Sequence, residues 1–116
     1  MANRSKDKGT KFETATARYM SAHGIPAERV ALHGTGDEGD LKATVRGMAL
    51  AIECKDRKRI EAVRWMDEAE REALNAGADV PVLVVHRPGC GAAKAGGNLV
   101  VMRLDDFCAI CAGGKR

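Results

Sequence analysis

The stretch that most constrains the fold is Asp40 to Lys55, DLKATVRGMALAIECK. Leu41, Ala43 and Val45 alternate with Asp40, Lys42 and Thr44. Beyond Arg46-Gly47, Met48, Leu50, Ile52 and Cys54 alternate with Ala49, Ala51, Glu53 and Lys55. A period of two predicts strands with one buried face, and Gly47 supplies the turn of a hairpin. With Arg46 and Gly47 as the loop, Leu41 faces Ile52, Ala43 faces Leu50 and Val45 faces Met48. The same register sets Asp40 opposite Glu53. Directly opposed side chains have Cβ atoms about 4.5–5.5 Å apart, and like charges there are destabilising. A divalent cation between the two carboxylates would remove that cost. Lys55 follows on the same face, within reach of whatever the carboxylates hold. The alternative is a solvated polar face, because a three-residue loop would shift the register and dissolve the pairing.

The chain is of single-domain length, 116 residues, and the whole of 1–116 reads as one unit. Aromatic residues make up only 3%, so the core must rest on aliphatic side chains. The net charge of +3 is compatible with nucleic acid without pointing to it. No apolar run is long enough for a membrane span, and the charged N-terminus lacks the apolar segment of a secretory signal. The expectation is an intracellular, cytoplasmic protein with no membrane partner. Its cysteines suit a reducing compartment. A zinc site from His86, Cys90, Cys108 and Cys111 is chemically conceivable, but one C-x-x-C is a weak signal and free thiols are the simpler reading.

Taken in order, residues 1–9 read as a mobile basic arm. A helix is predicted over 10–23 from the stripe Phe12, Ala15, Tyr19 and Ala22, ended by Gly24 and Pro26. Within it Thr10-x-x-Glu13 is a capping box, which accounts locally for the Glu13 carboxylate. A strand is predicted over 28–32, then a glycine-rich loop over 33–39. Asp37 in that loop rivals Asp40 as a metal ligand, and the strand register favours Asp40. The run Lys55-Asp56-Arg57-Lys58-Arg59 leaves the strand bearing Glu53, where it would suit phosphate contacts. Arg57, Lys58 and Arg59, with Arg4, Lys6, Lys8 and Lys11, are the candidate DNA-contacting cations.

A helix follows over 61–76, with Ala62, Met66, Ala69, Ala73 and Ala76 on its packing face and Gly77 after its end. Trp65 lies beside that stripe as a core or interface residue. Asp67, Glu68, Glu70 and Glu72 are read as an acidic outer face that DNA should avoid. PVLVV at 81–85 predicts a strand covered on both faces. A Gly/Ala loop over 86–98, carrying Arg87 and Lys94, is expected to be mobile and able to close on a substrate. A strand over 99–104 and a short helix over 105–111 complete the chain. The order α-β-β-β-α-β-β-α predicts an α/β fold, a five-stranded mixed sheet flanked by helices with a right-handed crossover.

An acid opening the second strand, Glu53-Cys54-Lys55 ending the third, and a crossover helix resemble the PD-(D/E)xK nuclease superfamily, whose fold is restriction-endonuclease-like. Glu13 on an early helix, the small size and the element order look most like its archaeal-type Holliday junction resolvases. The residues that match are Asp40, Glu53 and Lys55; where the family often has Pro before the first acid, this chain has Gly39. The resemblance implies a metal-dependent endodeoxyribonuclease that resolves four-way DNA junctions as a homodimer, leaving 5′-phosphate and 3′-hydroxyl ends. It implies Mg²⁺, replaceable by Mn²⁺, on Asp40, Glu53 and the Cys54 carbonyl. It raises Glu13 from a cap to an active-site acid that would bind a second metal or position a metal-bound water, and it makes Thr35 the candidate for the hydroxyl residue before the aspartate. A flap, replication-associated or restriction-type nuclease, or a non-catalytic DNA-binding module of the same fold, are the alternatives.

Overall fold

The computed structural model describes residues 4–31 and 37–114, with side chains from Lys8 onward. Thr35 falls outside the described residues, as do the side chains of Arg4 and Lys6. Helix α1 (Arg4–Ala22) leads into strand β1 (Ala27–Arg29), then β2 (Leu41–Val45) and β3 (Met48–Lys55). Helix α2 (Ala62–Ala76) crosses over to β4 (Val80–Val85). A 3-10 segment (Ala92–Gly97), β5 (Leu99–Val101) and α3 (Leu104–Cys111) follow.

The five strands lie in the order β1-β2-β3-β4-β5. The β3–β4 pair is parallel and the others are antiparallel, so the sheet is mixed. The parallel pair is the one joined through α2, because parallel neighbours need a crossover rather than a tight turn.

The hairpin register is the one that alternation predicts. Leu41 pairs with Ile52, Ala43 with Leu50 and Val45 with Met48. Arg46 and Gly47 both take positive φ, 50° and 80°. Two left-handed residues in succession define a type I′ turn, whose twist matches that of the flanking strands. The hairpin therefore forms despite the weak Arg-Gly signal.

The sheet is covered on both faces. One face packs Leu41, Leu50, Ile52, Val82 and Val84 against Phe12 of α1. The other packs Leu83 and Val85 against Trp65 and Ala69 of α2. Every residue of β4 is buried, as expected for a strand covered on both sides.

Several boundaries differ from expectation. Helix α1 begins at Arg4 rather than Thr10, so residues 4–9, read as an arm, continue the helix. Thr10 therefore stands in a helix interior and the capping box does not exist. Strand β1 runs Ala27–Arg29 rather than 28–32. Within the segment read as an irregular loop over 86–98, Ala92–Gly97 forms 3-10 structure. Strand β5 is shorter than the predicted 99–104 because the chain turns into α3 at Leu104.

The buried arc of α2 is also rotated from the predicted one. Trp65, Ala69, Glu72 and Ala73 face the sheet, and Ala76 does not. The helix ends where expected. Gly77 is left-handed (φ 67°), and the Ala78 amide donates to the Ala73 carbonyl at 2.9 Å.

Candidate active site

The site forms where β2 and β3 part company. The ladder ends at Leu41–Ile52, yet the Asp40 amide also donates to the Ile52 carbonyl at 2.9 Å. Asp40 thus stands one residue beyond the last ladder pair, and no ladder pairing sets it opposite Glu53. It is tied down on both sides instead. Its carbonyl accepts the Val30 amide at 2.9 Å, and its Oδ2 accepts the Cys54 amide at 2.8 Å.

Glu53 is buried, with the carboxyls of Asp40 and Glu72 beside its own. Burial, reinforced by these two acids, pushes Glu53 up to about 11. Burial also raises Glu72, and the neighbouring charges of Asp37 and Asp40 add to that. Glu13 shifts up for the same two reasons: burial first, then the charge of Asp40. Without a cation, a proton held by Glu53 relieves the repulsion among these acids.

Glu72 departs from the sequence expectation. Assigned to an acidic outer face, it is 6% exposed and turned into the sheet beside Glu53. Its spacing carries the signal: three residues after Ala69 and seven after Trp65 put it on the buried stripe. Glu68, one turn earlier, points toward the same end of the sheet. Its Oε2 accepts from Lys55 Nζ at 3.0 Å, while Glu53 Oε2 stands 3.8 Å from that nitrogen. Glu70 pairs with Arg103 at 3.0 Å. Of the four residues assigned to that outer face, Asp67 alone is exposed.

Lys55 also lies over the Trp65 ring, with Nζ 5.7 Å from its centroid. Trp65 is thus a core residue, 2% exposed, that forms one wall for the ammonium. Cys54 points to the other face, among the aliphatic residues packed under α1. Burial pushes its thiol well above the ordinary range, so it is an inert core group and only its backbone is available.

Glu13 comes to this site from mid-helix. Its Oε1 accepts from Arg29 Nε at 3.3 Å and pairs with Nη2 at 3.2 Å. Arg29, on β1, drew no attention in the sequence, because nothing local links it to an acid sixteen residues earlier.

The candidate phosphate contacts are brought together in part. Lys8 Nζ pairs with Asp56 Oδ1 at 3.4 Å, which joins the start of α1 to the Arg57-Lys58-Arg59 segment. Lys8, Lys11, Arg57, Lys58 and Arg59 are all exposed.

The zinc set is not assembled. His86 Nδ1 faces Asp56 at 3.2 Å and Nε2 lies 2.7 Å from the Cys90 carbonyl oxygen, so both ring nitrogens are occupied. Cys108 and Cys111 are exposed. Among the described residues, the acidic or thiol and imidazole groups whose ligand atoms converge are Asp37, Glu53 and Glu72. These all-oxygen donors, one of them a buried carboxylate oxygen without a hydrogen-bond partner, fit a hard divalent cation.

Comparison with known proteins gives the same direction. The family model described as archaeal Holliday junction resolvase (hjc) matches residues 4–80. No curated protein matches the chain. Among solved structures, that of Archaeoglobus fulgidus Hjc, a Holliday junction resolvase from an archaeal hyperthermophile, is similar with a TM-score of 0.54. It is 20% identical, over 91% of this chain and 94% of that one, a likeness of fold.

Proposed function

The chain belongs to the archaeal Holliday junction resolvase family, so its function is to resolve four-way DNA junctions, and we propose that it does so as a Mg²⁺-dependent endodeoxyribonuclease. One observation carries the metal-dependent reading: the Glu53 carboxyl sits between those of Asp40 and Glu72, with Lys55 Nζ 3.8 Å away. Acids gathered at that density, backed by an ammonium, suit a cation and a phosphodiester better than they suit stability.

In this reading Asp40, Glu53 and the Cys54 carbonyl hold Mg²⁺, for which Mn²⁺ can substitute. The ion supplies Lewis acidity toward the scissile phosphate and lowers the cost of forming hydroxide from water. The protein supplies the placement. The Cys54 amide donates to Asp40 Oδ2 and so fixes the orientation of this carboxylate. Lys55 offsets the negative charge that grows on the phosphoryl oxygens as water attacks. Glu13, oriented by Arg29, accepts a hydrogen bond from the attacking water and fixes its line of approach.

Arg57, Lys58 and Arg59, joined through Asp56 to Lys8 and by Lys11 on the same helix, would hold the DNA backbone beside the site. Thr35, and Arg4 and Lys6 at the start of α1, are further candidates for DNA contact. A four-way junction has two-fold symmetry, and paired cuts need two sites related by that symmetry, so the working unit is a homodimer acting on DNA inside the cell.

The test is cleavage of a four-way junction in Mg²⁺, set beside linear duplex and flap DNA, for wild type and Glu53→Gln. Wild type should cut the junction preferentially, and the variant should bind it without cutting. A folded Glu53→Gln protein that cuts at the wild-type rate removes the site assignment. Equal cutting of all three DNAs by wild type removes the preference for junctions.

A further inference from the structure

We propose that Asp37, Glu53 and Glu72 form a second divalent-cation position, bridged through Glu53 to the one assigned to Asp40, Glu53 and the Cys54 carbonyl. This rests on the metal-dependent reading above and extends it to two residues that reading does not use.

Each of the three side chains offers a carboxylate oxygen, and these atoms lie within 4.8 Å of one another. Exposed acidic clusters often mean nothing, but Glu72 is not exposed. The residue is 6% accessible, and its Oε2 is buried with no hydrogen-bond partner among the described residues. An orphaned carboxylate oxygen between a helix and a sheet is costly unless something cationic completes it. The charge of Lys55 reaches Glu72, but Glu68 holds that ammonium at 3.0 Å.

The orphaned oxygen is aimed at the segment that delivers Asp37. It lies 3.6 Å from where a Cβ on Gly39 would stand. Asp37 itself is fastened to α2, for its carbonyl accepts Asn75 Nδ2 at 2.8 Å, and Asn75 follows Glu72 by three residues. Its Oδ1 accepts the Gly39 amide at 2.9 Å, which fixes the carboxylate.

Asp40 does not belong to this group, because its Oδ2 is turned to the Cys54 amide. Glu53 has two oxygens and neighbours on both sides, so it is the natural bridge. An oxygen-only donor set with one exposed member suits a hard ion that keeps several waters. Gly39 leads directly into Asp40. Its φ of +94° is closed to Pro, and the missing side chain leaves the approach to Glu72 open.

The test counts Mn²⁺ bound per chain, from the paramagnetic resonance of free Mn²⁺ during titration without DNA. Wild type is expected to take up a second ion. In Glu72→Gln and in Asp37→Asn that ion should weaken by about tenfold or more while the first is kept. Asp37 is exposed, so its variant is not at risk of misfolding; far-UV circular dichroism checks the other. A wild-type count of one ion, or both affinities unchanged in both variants, overturns the second position. An Asp40→Asn protein that keeps both wild-type affinities refutes the Asp40 site instead, a separate failure.

Discussion

Lys55 lies closer to Glu68 than to Glu53, 3.0 Å against 3.8 Å, so the ammonium proposed to serve the phosphate is held by an acid of helix α2. The pair is partly shielded, with the lysine 14% and the glutamate 35% exposed. The Lys55 ammonium in turn pulls Glu68 below the ordinary carboxylate range. Glu68 is therefore a positioning residue for Lys55, acting together with the Trp65 ring.

Replacing Glu68 by Gln should leave the fold intact and lower the cleavage rate by about tenfold, a typical cost of losing a supporting contact. Junction affinity should hold or improve, since a negative charge near the backbone is gone. Single-turnover cleavage alongside a binding titration separates the two effects. A loss confined to affinity would mean that the glutamate does not orient the lysine.

Metal-free protein should lose stability as pH rises. Glu53, Glu72 and Glu13 all have folded-state values above their ordinary value of 4.5. The folded state therefore keeps protons that the unfolded chain releases, so unfolding becomes easier with each step up in pH. The contribution is complete below the ordinary carboxylate value and fades upward; for Glu53 the fading extends to about 11. Mg²⁺ should flatten this slope by taking the place of the protons. Urea midpoints from roughly pH 5 to roughly pH 9, with and without Mg²⁺, measure it. A flat metal-free profile, or an equal slope in Glu53→Gln, would show that the cluster does not hold those protons.

Gly39→Ala should destabilise the fold by about 1–2 kcal/mol, the cost of a side chain in left-handed backbone. The φ is +94°, and the new Cβ would meet the Ile52 carbonyl oxygen at 3.3 Å. Gly39→Pro should cost more, because proline cannot take a positive φ. Thermal melts of the two variants decide, and a proline variant as stable as wild type would mean that the segment adopts another backbone.

Arg29→Ala releases Glu13 from its ion pair with Arg29. Half of the arginine side chain is exposed, so the stability effect should stay under about 1 kcal/mol. Cleavage should fall by about tenfold or more as the Glu13 carboxylate loses its orientation, with Arg29→Lys recovering part. Equal rates in wild type and Arg29→Ala would remove Glu13 from the reaction or free it of any need for the arginine.

The hairpin was legible because alternation and a two-residue turn allow one register only; slipping by one residue would turn every buried side chain outward. That register put Glu53 and Lys55 on one face, and a fully apolar run at 81–85 identified the central strand. Family resemblance, not local pattern, drew Glu13 toward the site; locally it looked like a cap.

Other features depended on how elements meet. Whether Glu72 faces water or the sheet turns on the rotation of α2 about its axis, and the packing of Trp65 and Ala69 sets that rotation. The backbone of Val30 and Ile52 holds Asp40 just beyond the end of the ladder, which no period in β2 encodes. Alternation determines which side of a strand a residue takes. Only packing decides which distant charges it then meets, because the energy that gathers acids from α1, α2 and the 37–40 segment comes from burying the apolar faces around them.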